Sequence, residues 1–317
     1  MPHIPLPFPL GEIEAARTRI AGTAVRTPLL RLPIDAPAEI WLKLENLQPI
    51  GSFKLRGAAN AMACQPADSL ADGVVTASAG NMAQGVAWCA RARGIPCRVI
   101  VPEHAPEAKT SAIERLGGEI IRRPFNEWWD VLMTRDTKGV PGFFIHPVMD
   151  PEVIAGNGTI GLEILEDLPA VDTVVVPYGG GGLSCGIASA LKARRGNVRV
   201  LAAEVATAAP LRAAMDAGAP TMIEYIPSFV DGIGGRTVLE PMWPLVRHVI
   251  DDAVVSSVQE IANAVRVLAM RAHVIAEGAG AASVAPVLAG KAGTGRVVCV
   301  VSGGNIDAAR LAECLAA

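Results

Sequence analysis

The sequence predicts an α/β fold in which open, mostly parallel sheets are flanked by helices. The first observation is composition, because 51% of the 317 residues are hydrophobic, only 4% are aromatic and 32 are glycine. The second is a rhythm of strand-like apolar runs that lead into alanine-rich helical stretches, which is typical of parallel sheets covered by helices. This rhythm forms two clusters, before and after about residue 147, so we expect two lobes.

The elements follow one another in both clusters with short connections. The first cluster predicts a strand over 74–77, a helix over 81–92, a strand over 97–102, a helix near 105–116 and a short strand over 119–121. The second predicts a strand over 171–177, a helix over 183–194, a strand over 198–204 and a last strand over 296–302. No repeat, low-complexity tract or long charge run interrupts them, which argues against a flexible linker.

Charge and apolar patterning exclude several functional classes. A formal charge of −3 argues against general affinity for nucleic acid or anionic membranes. No apolar run is long enough to span a bilayer, and the proline-rich residues 1–7 lack the basic start of a signal peptide, so we expect a cytoplasmic protein. The six cysteines form no CxxC pair, which indicates neither a disulfide framework nor a zinc site.

Lys54 lies early in a predicted helix, within the segment GSFKLRG at residues 51–57. The first turn of a helix exposes unpaired N–H groups and positive potential, so a cation there needs another role. One such role is a covalent imine with an aldehyde cofactor, which removes the charge and uses the amine. Taken alone, Lys54 is more simply interpreted as a solvated surface lysine. The other loops decide between this interpretation and an imine-forming lysine.

The segment YGGGGLS at residues 178–184 follows a predicted strand and opens a helix. Consecutive glycines let the backbone curl around an anion in front of a helix N-terminus, which favours a phosphate site over a plain turn. A dinucleotide site is the rival, because Glu204 ends the next strand as a ribose-binding acid would. However, no GxGxxG spacing fits and no Walker lysine follows, so the loop suits a single phosphate.

Two further loops carry small polar residues at strand ends. The segment SAGNMAQG at residues 78–85 offers backbone N–H groups, a hydroxyl and an amide that suit a carboxylate, although Ser78 or Asn81 as an ordinary helix cap is the alternative. The segment VVSGGN at residues 300–305 places Ser302 where its hydroxyl could bond a buried ring nitrogen; the alternative is a simple turn.

In this order, the segments resemble those of the fold type II pyridoxal-phosphate enzymes, whose two-lobed fold is tryptophan synthase β-like. The closest branch is that of the threonine/serine dehydratases, related to serine racemase and to ectoine-utilisation and phenylserine dehydratases. The resemblance covers nearly the whole chain and includes the segments RTPL at 26–29, WLKLE at 41–45, DPEVIAGNGT at 150–159 and EGAGAA at 277–282.

The resemblance implies a small domain over 47–146 and a large domain over 1–46 and 147–317. The cofactor, pyridoxal 5′-phosphate, would lie in the cleft between them. It also implies an amino-acid substrate and a homodimer. Because the chain ends soon after its last predicted strand and helix, we expect no C-terminal regulatory domain.

Residue roles follow from the same resemblance. Lys54 would form the imine, Phe53 would pack near the ring, Asn81 would bond its 3′-oxygen and Ser302 would meet its nitrogen. The phosphate would be bound by Gly179, Gly180, Gly181, Gly182 and Leu183. The substrate carboxylate would be bound by Ser78, Gly80, Asn81 and Met82.

These roles predict a β-elimination. Lys54 freed from the cofactor could remove the Cα proton of the substrate. A serine at the ring nitrogen makes a weaker electron sink than an aspartate would, which favours rapid loss of a β-substituent. We therefore expect an ammonia-lyase that converts a threonine- or serine-type β-hydroxy amino acid to a 2-oxo acid and ammonia.

Two departures from the family leave alternatives open. Ala79 stands where the racemases have a serine, which disfavours an amino-acid racemase of the serine or aspartate type. Met82 stands where the dehydratases commonly have histidine, so the substrate could instead be bulkier, such as phenylserine, 3-hydroxyaspartate or a hydroxyectoine-pathway compound.

Three further predictions concern a cation site, Glu277 and the pair Trp128–Trp129. Family members often bind a monovalent or divalent cation through a glutamate that matches Glu204 and an aspartate six residues on, where this chain has Pro210. The carbonyl of Ala208 could substitute, and a plain strand-end acid is the alternative. Glu277 could face the ring. The pair Trp128–Trp129 fits a helix packed on the small lobe better than a lid.

Overall fold

The computed structural model describes residues 3–316, in which ten strands form two sheets. The strands are β1 Leu29–Arg31, β2 Ala38–Leu44, β3 Val74–Ala77, β4 Cys97–Pro102, β5 Gly118–Arg123, β6 Phe143–Phe144, β7 Thr173–Pro177, β8 Arg199–Val205, β9 Asp252–Ser256 and β10 Gly295–Val301. One sheet has the order β1-β2-β10-β7-β8-β9 and the other β5-β4-β3-β6. Every neighbouring pair is parallel except β1 with β2, which confirms the predicted α/β class.

Helices cover these sheets and connect their parallel strands. They are α1 Leu10–Arg19, α2 Lys54–Ala63, α3 Asn81–Arg93, α4 Glu107–Arg115, α5 Phe125–Thr134, α6 Pro151–Asp167, α7 Gly182–Arg194, α8 Pro210–Ala217, α9 Trp243–Val249, α10 Val258–Val267, α11 Gly278–Ala281, α12 Ala285–Leu288 and α13 Ala308–Ala316. Short 3₁₀ turns occupy Glu45–Leu47, Ala67–Leu70 and Glu240–Met242, and a π turn occupies Leu268–Ala272. Between residues 3 and 316, no helix combines the length and apolarity needed to cross a membrane.

The central strands explain why apolar runs, rather than alternating patterns, mark this chain. All four residues of β3 and all five of β7 are buried, because helices pack on both faces of each sheet. The carboxyl end of β3 leads into the loop before α3, and that of β7 leads into the glycine loop before α7. Ligands of open α/β sheets bind at such carboxyl ends.

The two sheets come from different stretches of chain. Residues 74–144 supply the four-stranded sheet, and residues 29–44 together with 173–301 supply the six-stranded one. The contact between α2 and α6 joins the two parts on one side of the cleft. The domain boundaries at 46/47 and 146/147 stay a prediction.

A buried charge cluster, formed by Lys43, Glu45, Arg56 and Glu163, lies at this junction. The Arg56 guanidinium is 2.8 Å from Glu45 and 2.6 Å from Glu163, while Lys43 Nζ is 2.6 Å from Glu163. None of the four side chains is more than 6% exposed. Burial disfavours the Glu45 carboxylate, but the Arg56 guanidinium outweighs it and lowers the pKa of Glu45. The cluster therefore fixes α2, and with it Lys54, to β2 and α6.

Candidate active site

A cavity of about 380 Å³ lies at the carboxyl ends of strands from both sheets. It is lined by Phe53, Lys54, Ser78, Gly80, Asn81, Met82, Gly179, Gly180, Gly181, Gly182, Leu183 and Ser302. The structure thus brings all the predicted cofactor and carboxylate residues together. Glu204 lies outside this lining.

Lys54 is the first residue of α2, and its side chain forms part of the cavity lining. Its Nζ donates a hydrogen bond to the carbonyl oxygen of Pro147 at 2.7 Å and lies 5.2 Å from the centroid of the Phe53 ring. Burial lowers the pKa of Lys54 to about 8. A larger fraction of this amine is therefore neutral near pH 7–8 than in an exposed lysine, as a nucleophile requires.

His146 fixes the carbonyl that Lys54 contacts. Its Nδ1 accepts hydrogen bonds from the backbone N–H groups of Val148 at 3.0 Å and Met149 at 2.9 Å. Burial lowers the pKa of His146 to about 3, so the ring stays neutral and remains an acceptor. The turn that carries Pro147 is therefore held by a side chain that no sequence motif singles out.

Backbone hydrogen bonds join the segment that carries Ser302 to the segment that carries Lys54. The N–H of Phe53 donates to the carbonyl oxygen of Ser302 at 3.0 Å, and the N–H of Gly304 donates to that of Gly51 at 2.9 Å. Gly51 has a φ of +73°, and a Cβ there would lie 2.6 Å from Asn305 Oδ1, so a larger residue would disturb this pairing. The two backbone bonds fix Ser302, which is 3% exposed, relative to Lys54.

The glycine loop forms an anion cradle in front of α7. Gly181 has a φ of +98°, and Gly182 begins the helix, whose first N–H groups have no acceptor within the helix. A Cβ on Gly180 would lie 2.7 Å from Val148 Cγ2, and one on Gly182 would lie 2.7 Å from the Val148 carbonyl oxygen. Glycine is therefore required for close packing here, and the free N–H groups fit a phosphate.

The loop before α3 presents polar atoms from the other side of the cavity. Ser78 Oγ accepts a hydrogen bond from the N–H of Gly80 at 3.2 Å. Asn81 begins α3, where its Nδ2 donates to Glu277 Oε1 at 2.8 Å and its Oδ1 accepts from Asn305 Nδ2 at 2.8 Å. Met82 is 1% exposed and packs in the apolar core of the four-stranded sheet, so its thioether serves packing.

Glu277 is an acid of this cavity that the sequence marks only weakly. Burial raises the pKa of Glu277 to about 7; the Asn81 hydrogen bond opposes this, Asp231 adds to it and Lys109 opposes it. The carboxyl is therefore close to half-protonated at neutral pH and holds Asn81 in place.

A second, outer cavity of about 910 Å³ adjoins the first. Both cavities are lined by Gly80, Asn81, Lys109, Asp231, Gly232 and Glu277. Lys109 Nζ on α4 lies 2.6 Å from Asp231 Oδ2 on the loop after α8, so an ion pair stands at the mouth of the inner cavity. The sequence did not point to Lys109 or Asp231, because neither lies in a recognisable motif. Trp128, which was predicted to pack on the small lobe, does pack there and also lines the inner cavity.

Glu204 is used elsewhere in the fold. Its two carboxylate oxygens accept hydrogen bonds from the N–H groups of Leu211 and Arg212, both at 2.8 Å, and so cap α8. Burial raises the pKa of Glu204 to about 7. In the described part of the chain, no three His, Cys, Asp or Glu side chains converge as metal ligands. The cation site stays a prediction.

Comparison with known proteins yields one consistent set of relatives. The family model described as "Pyridoxal-phosphate dependent enzyme" matches residues 20–303. The L-threonine ammonia-lyase of Thermotoga maritima is 40% identical over 304 residues, which cover 94% of this chain and 76% of that protein. The L-threonine ammonia-lyase of Geobacter sulfurreducens is 39% identical over 310 residues, or 95% of this chain and 76% of that protein.

Solved structures show the same fold. The processed form of threonine deaminase isoform 2 from Solanum lycopersicum superposes with a TM-score of 0.86 at 29% identity, covering 96% of this chain and 92% of that one. Maize serine racemase superposes with a TM-score of 0.85 at 32% identity, covering 96% of this chain and 95% of that one.

Proposed function

The chain belongs to the pyridoxal-phosphate dependent enzymes, and from that membership we propose that it is an ammonia-lyase acting on a β-hydroxy amino acid of the threonine or serine type. The products would be a 2-oxo acid and ammonia. The observation that carries the proposal is Lys54, whose low-pKa amine faces the cavity between the phosphate cradle and the loop before α3. The names of its ammonia-lyase relatives support the same reaction.

The residues that line the cavity fit pyridoxal phosphate both at its phosphate and at its ring. The N–H groups of residues 179–183 would hold the phosphate, Ser302 would meet the ring nitrogen, and Asn81 would contact the 3′-oxygen. When bound, pyridoxal phosphate supplies an aldehyde for Lys54 and an electron sink for the Cα carbanion. The Ser302 hydroxyl cannot donate a full proton to the ring nitrogen as an acid would.

The protein's own groups account for substrate binding and proton transfer. The backbone N–H groups and the Ser78 hydroxyl in the loop before α3 would bind the substrate carboxylate, which orients Cα toward Lys54. The carbonyl of Pro147 holds Lys54 Nζ on one side of the cavity. With its lowered pKa, this amine can accept the Cα proton near neutral pH.

A keto-acid assay tests the reaction. Purified protein with pyridoxal phosphate is given L-threonine or L-serine, and we expect 2-oxo acid and ammonia in equal amounts. Lys54→Ala should retain the fold and form neither product. If the wild-type protein binds the cofactor, seen by its visible absorption, but makes no keto acid from any β-hydroxy amino acid, the ammonia-lyase proposal is wrong.

A racemase is the second candidate, because serine racemases are among the structural neighbours. Ala79 lines the cavity and carries no group able to exchange a proton, which disfavours inversion at Cα. We expect the wild type to release keto acid without racemising the remaining substrate. Ala79→Ser should introduce measurable inversion, followed by chiral chromatography in deuterated water.

Several further features are proposed from the sequence and its resemblance to the family. These are the small domain over 47–146, the large domain over 1–46 and 147–317, a homodimer and a cytoplasmic location. Light scattering of the purified protein tests the dimer, and cell fractionation tests the location.

A cation bound at Glu204 is the least supported of these proposals. Two backbone N–H groups already occupy the carboxylate, so an ion would have to use its remaining lone pairs and carbonyls such as that of Ala208. The melting temperature of chelator-treated protein, compared with and without added K⁺ or Mg²⁺, tests it.

A further inference from the structure

The cofactor cavity contains two cationic side chains within residues 3–316, Lys54 and Lys109. Lys54 is committed to the cofactor and to proton transfer. Lys109 is already paired with Asp231 at 2.6 Å, and Glu277 adds a further acidic group to the same lining. Among residues 3–316, the lining of the inner cavity therefore offers a substrate no unpaired cation besides Lys54.

One part of the cavity lining, contributed by β4 and α5, consists of ring side chains. Pro102 and Trp128 line it, and Trp128 packs against Phe125 and Trp129 with ring centroids 5.6 Å and 6.1 Å apart. The indole Nε1 of Trp128 is buried and has no hydrogen-bond partner among the described residues. Trp128 therefore offers the cavity the apolar face of its ring, together with an indole N–H that no described residue accepts.

We propose that Asp231 determines the substrate class by masking Lys109, so that the site selects β-hydroxy amino acids with an uncharged β-substituent and rejects those with a second carboxylate. This rests on the proposed function and narrows it. Threonine, serine and phenylserine fall in the accepted class, and 3-hydroxyaspartate falls in the rejected one.

The physical basis is an unpaired negative charge brought next to acidic groups at the cavity mouth. A β-carboxylate would lose water in the cavity without gaining a cation, and it would lie near the acids Asp231 and Glu277. Specificity of this kind depends on the repulsive element as much as on attractive contacts. An apolar or hydroxyl-bearing substituent meets neither penalty and can contact Pro102 and Trp128.

Two unreactive amino acids test the proposal by binding. L-Aspartate and L-2-aminobutyrate share Cα chemistry, lack a β-leaving group and differ in carrying a carboxylate or a methyl on Cβ. Their dissociation constants are measured on the holoenzyme from the change in cofactor absorption. We expect the wild type to bind 2-aminobutyrate roughly tenfold more tightly than aspartate, the size of one unfavourable charge contact.

Asp231→Asn frees Lys109 at nearly constant volume and should shift the affinity ratio toward aspartate by roughly five- to tenfold. Adding Lys109→Met to that variant should cancel the shift, because the cation is then absent. The matched control is Asp130→Asn, which breaks an exposed Lys–Asp pair of 2.7 Å with Lys138 outside the cavity lining and should leave the ratio unchanged.

Trp128→Ala should weaken 2-aminobutyrate binding more than aspartate binding, since only the methyl loses an apolar contact. If the wild type prefers aspartate, or if Asp231→Asn leaves the ratio within twofold of the wild type, the proposal is wrong. The binding test needs no turnover. If the affinity ratio shifts in Asp231→Asn but no keto acid forms, only the ammonia-lyase function is overturned. If keto acid forms but the affinity ratio does not shift, only the proposed specificity is overturned.

Discussion

Among the charged contacts that join residues 47–146 to the rest of the molecule, two sets differ in almost every property. The buried charge cluster holds Arg56 between Glu45 and Glu163, with none of its side chains more than 6% exposed. The pair at the cavity mouth joins Lys109 to Asp231 at 2.6 Å, with side chains 40% and 55% exposed.

The difference shows that the two sets contribute differently to stability: breaking the buried cluster costs much free energy, whereas breaking the mouth pair costs little. Removing one partner of a buried pair strands a charge without water and typically costs about 3–5 kcal/mol. Separating an exposed pair costs only about 0.2–1 kcal/mol, because water solvates both groups. The buried cluster therefore fixes the helix that carries Lys54, whereas the mouth pair contributes little to stability and can be altered with little effect on the fold.

The largest expected effect lies at the fixed end. Lys54→Ala removes the amine that holds the cofactor and takes the Cα proton, so kcat for keto-acid formation should fall by at least about 10³-fold. Lys109→Ala, at the mouth, should change kcat by less than about tenfold. Steady-state kinetics on both variants measures the contrast. Comparable losses in the two variants would contradict the division between the two ends.

The second effect concerns stability. Arg56→Met leaves the carboxylates of Glu45 and Glu163 buried without their shared cation, so the free energy of unfolding should fall by about 3–5 kcal/mol. Urea unfolding of the cofactor-free protein measures it. Arg31→Met, which removes an exposed contact of 4.0 Å with Glu39, is the control and should cost less than about 1 kcal/mol. An equal cost in both variants would show that the cluster anchors nothing.

The same contrast explains what the sequence could predict. The loops that carry Lys54, Asn81, Ser302 and the glycine cradle were identifiable because glycines and small polar residues at strand ends constrain the backbone locally. The family followed from those loops in order, and the α/β class followed from the composition and from the rhythm of apolar runs and helical stretches.

Partners distant in the chain were not identifiable. Arg56 and Glu163 are 107 positions apart, and Lys109 and Asp231 are 122 apart. Their pairing depends on how helices from the two parts pack, which leaves no local pattern. The Pro147 carbonyl that orients Lys54 has no side-chain signal at all, since any residue supplies a carbonyl.

A smaller effect, on the pH dependence of stability, is expected at Glu277, which lines the inner cavity together with Lys109 and Asp231. Burial raises the pKa of Glu277 to about 7, so the folded protein keeps a proton that the unfolded chain releases near pH 4.5. The folded state binds more protons across this window, and the contribution of Glu277 to stability therefore falls as pH rises from 4.5 to 7.

Glu277→Gln removes this titration while preserving an oxygen that can accept from Asn81. Relative to the wild type, the variant should gain roughly 1–2 kcal/mol in unfolding free energy between pH 4.5 and 8, after allowance for the partial exposure of the carboxyl. Unfolding of the cofactor-free proteins at both pH values measures the gain. Parallel pH profiles would show that the pKa of Glu277 is the same in the folded and the unfolded protein, which would contradict the prediction.

The smallest effect should come from the mouth pair itself, and its salt dependence separates it from the buried cluster. A double-mutant cycle with Lys109→Met and Asp231→Asn should give a coupling free energy of about 0.5 kcal/mol at low salt. In 1 M salt the coupling should fall toward zero, because the Debye length shrinks to about 3 Å and both groups are open to solvent. The corresponding cycle with Arg56→Met and Glu45→Gln should keep most of its coupling in 1 M salt, since ions do not reach side chains that are at most 2% exposed. If both cycles respond equally to salt, water reaches the buried cluster as readily as the mouth, and Lys54 is then held by apolar packing of α2 on α6 rather than by charge.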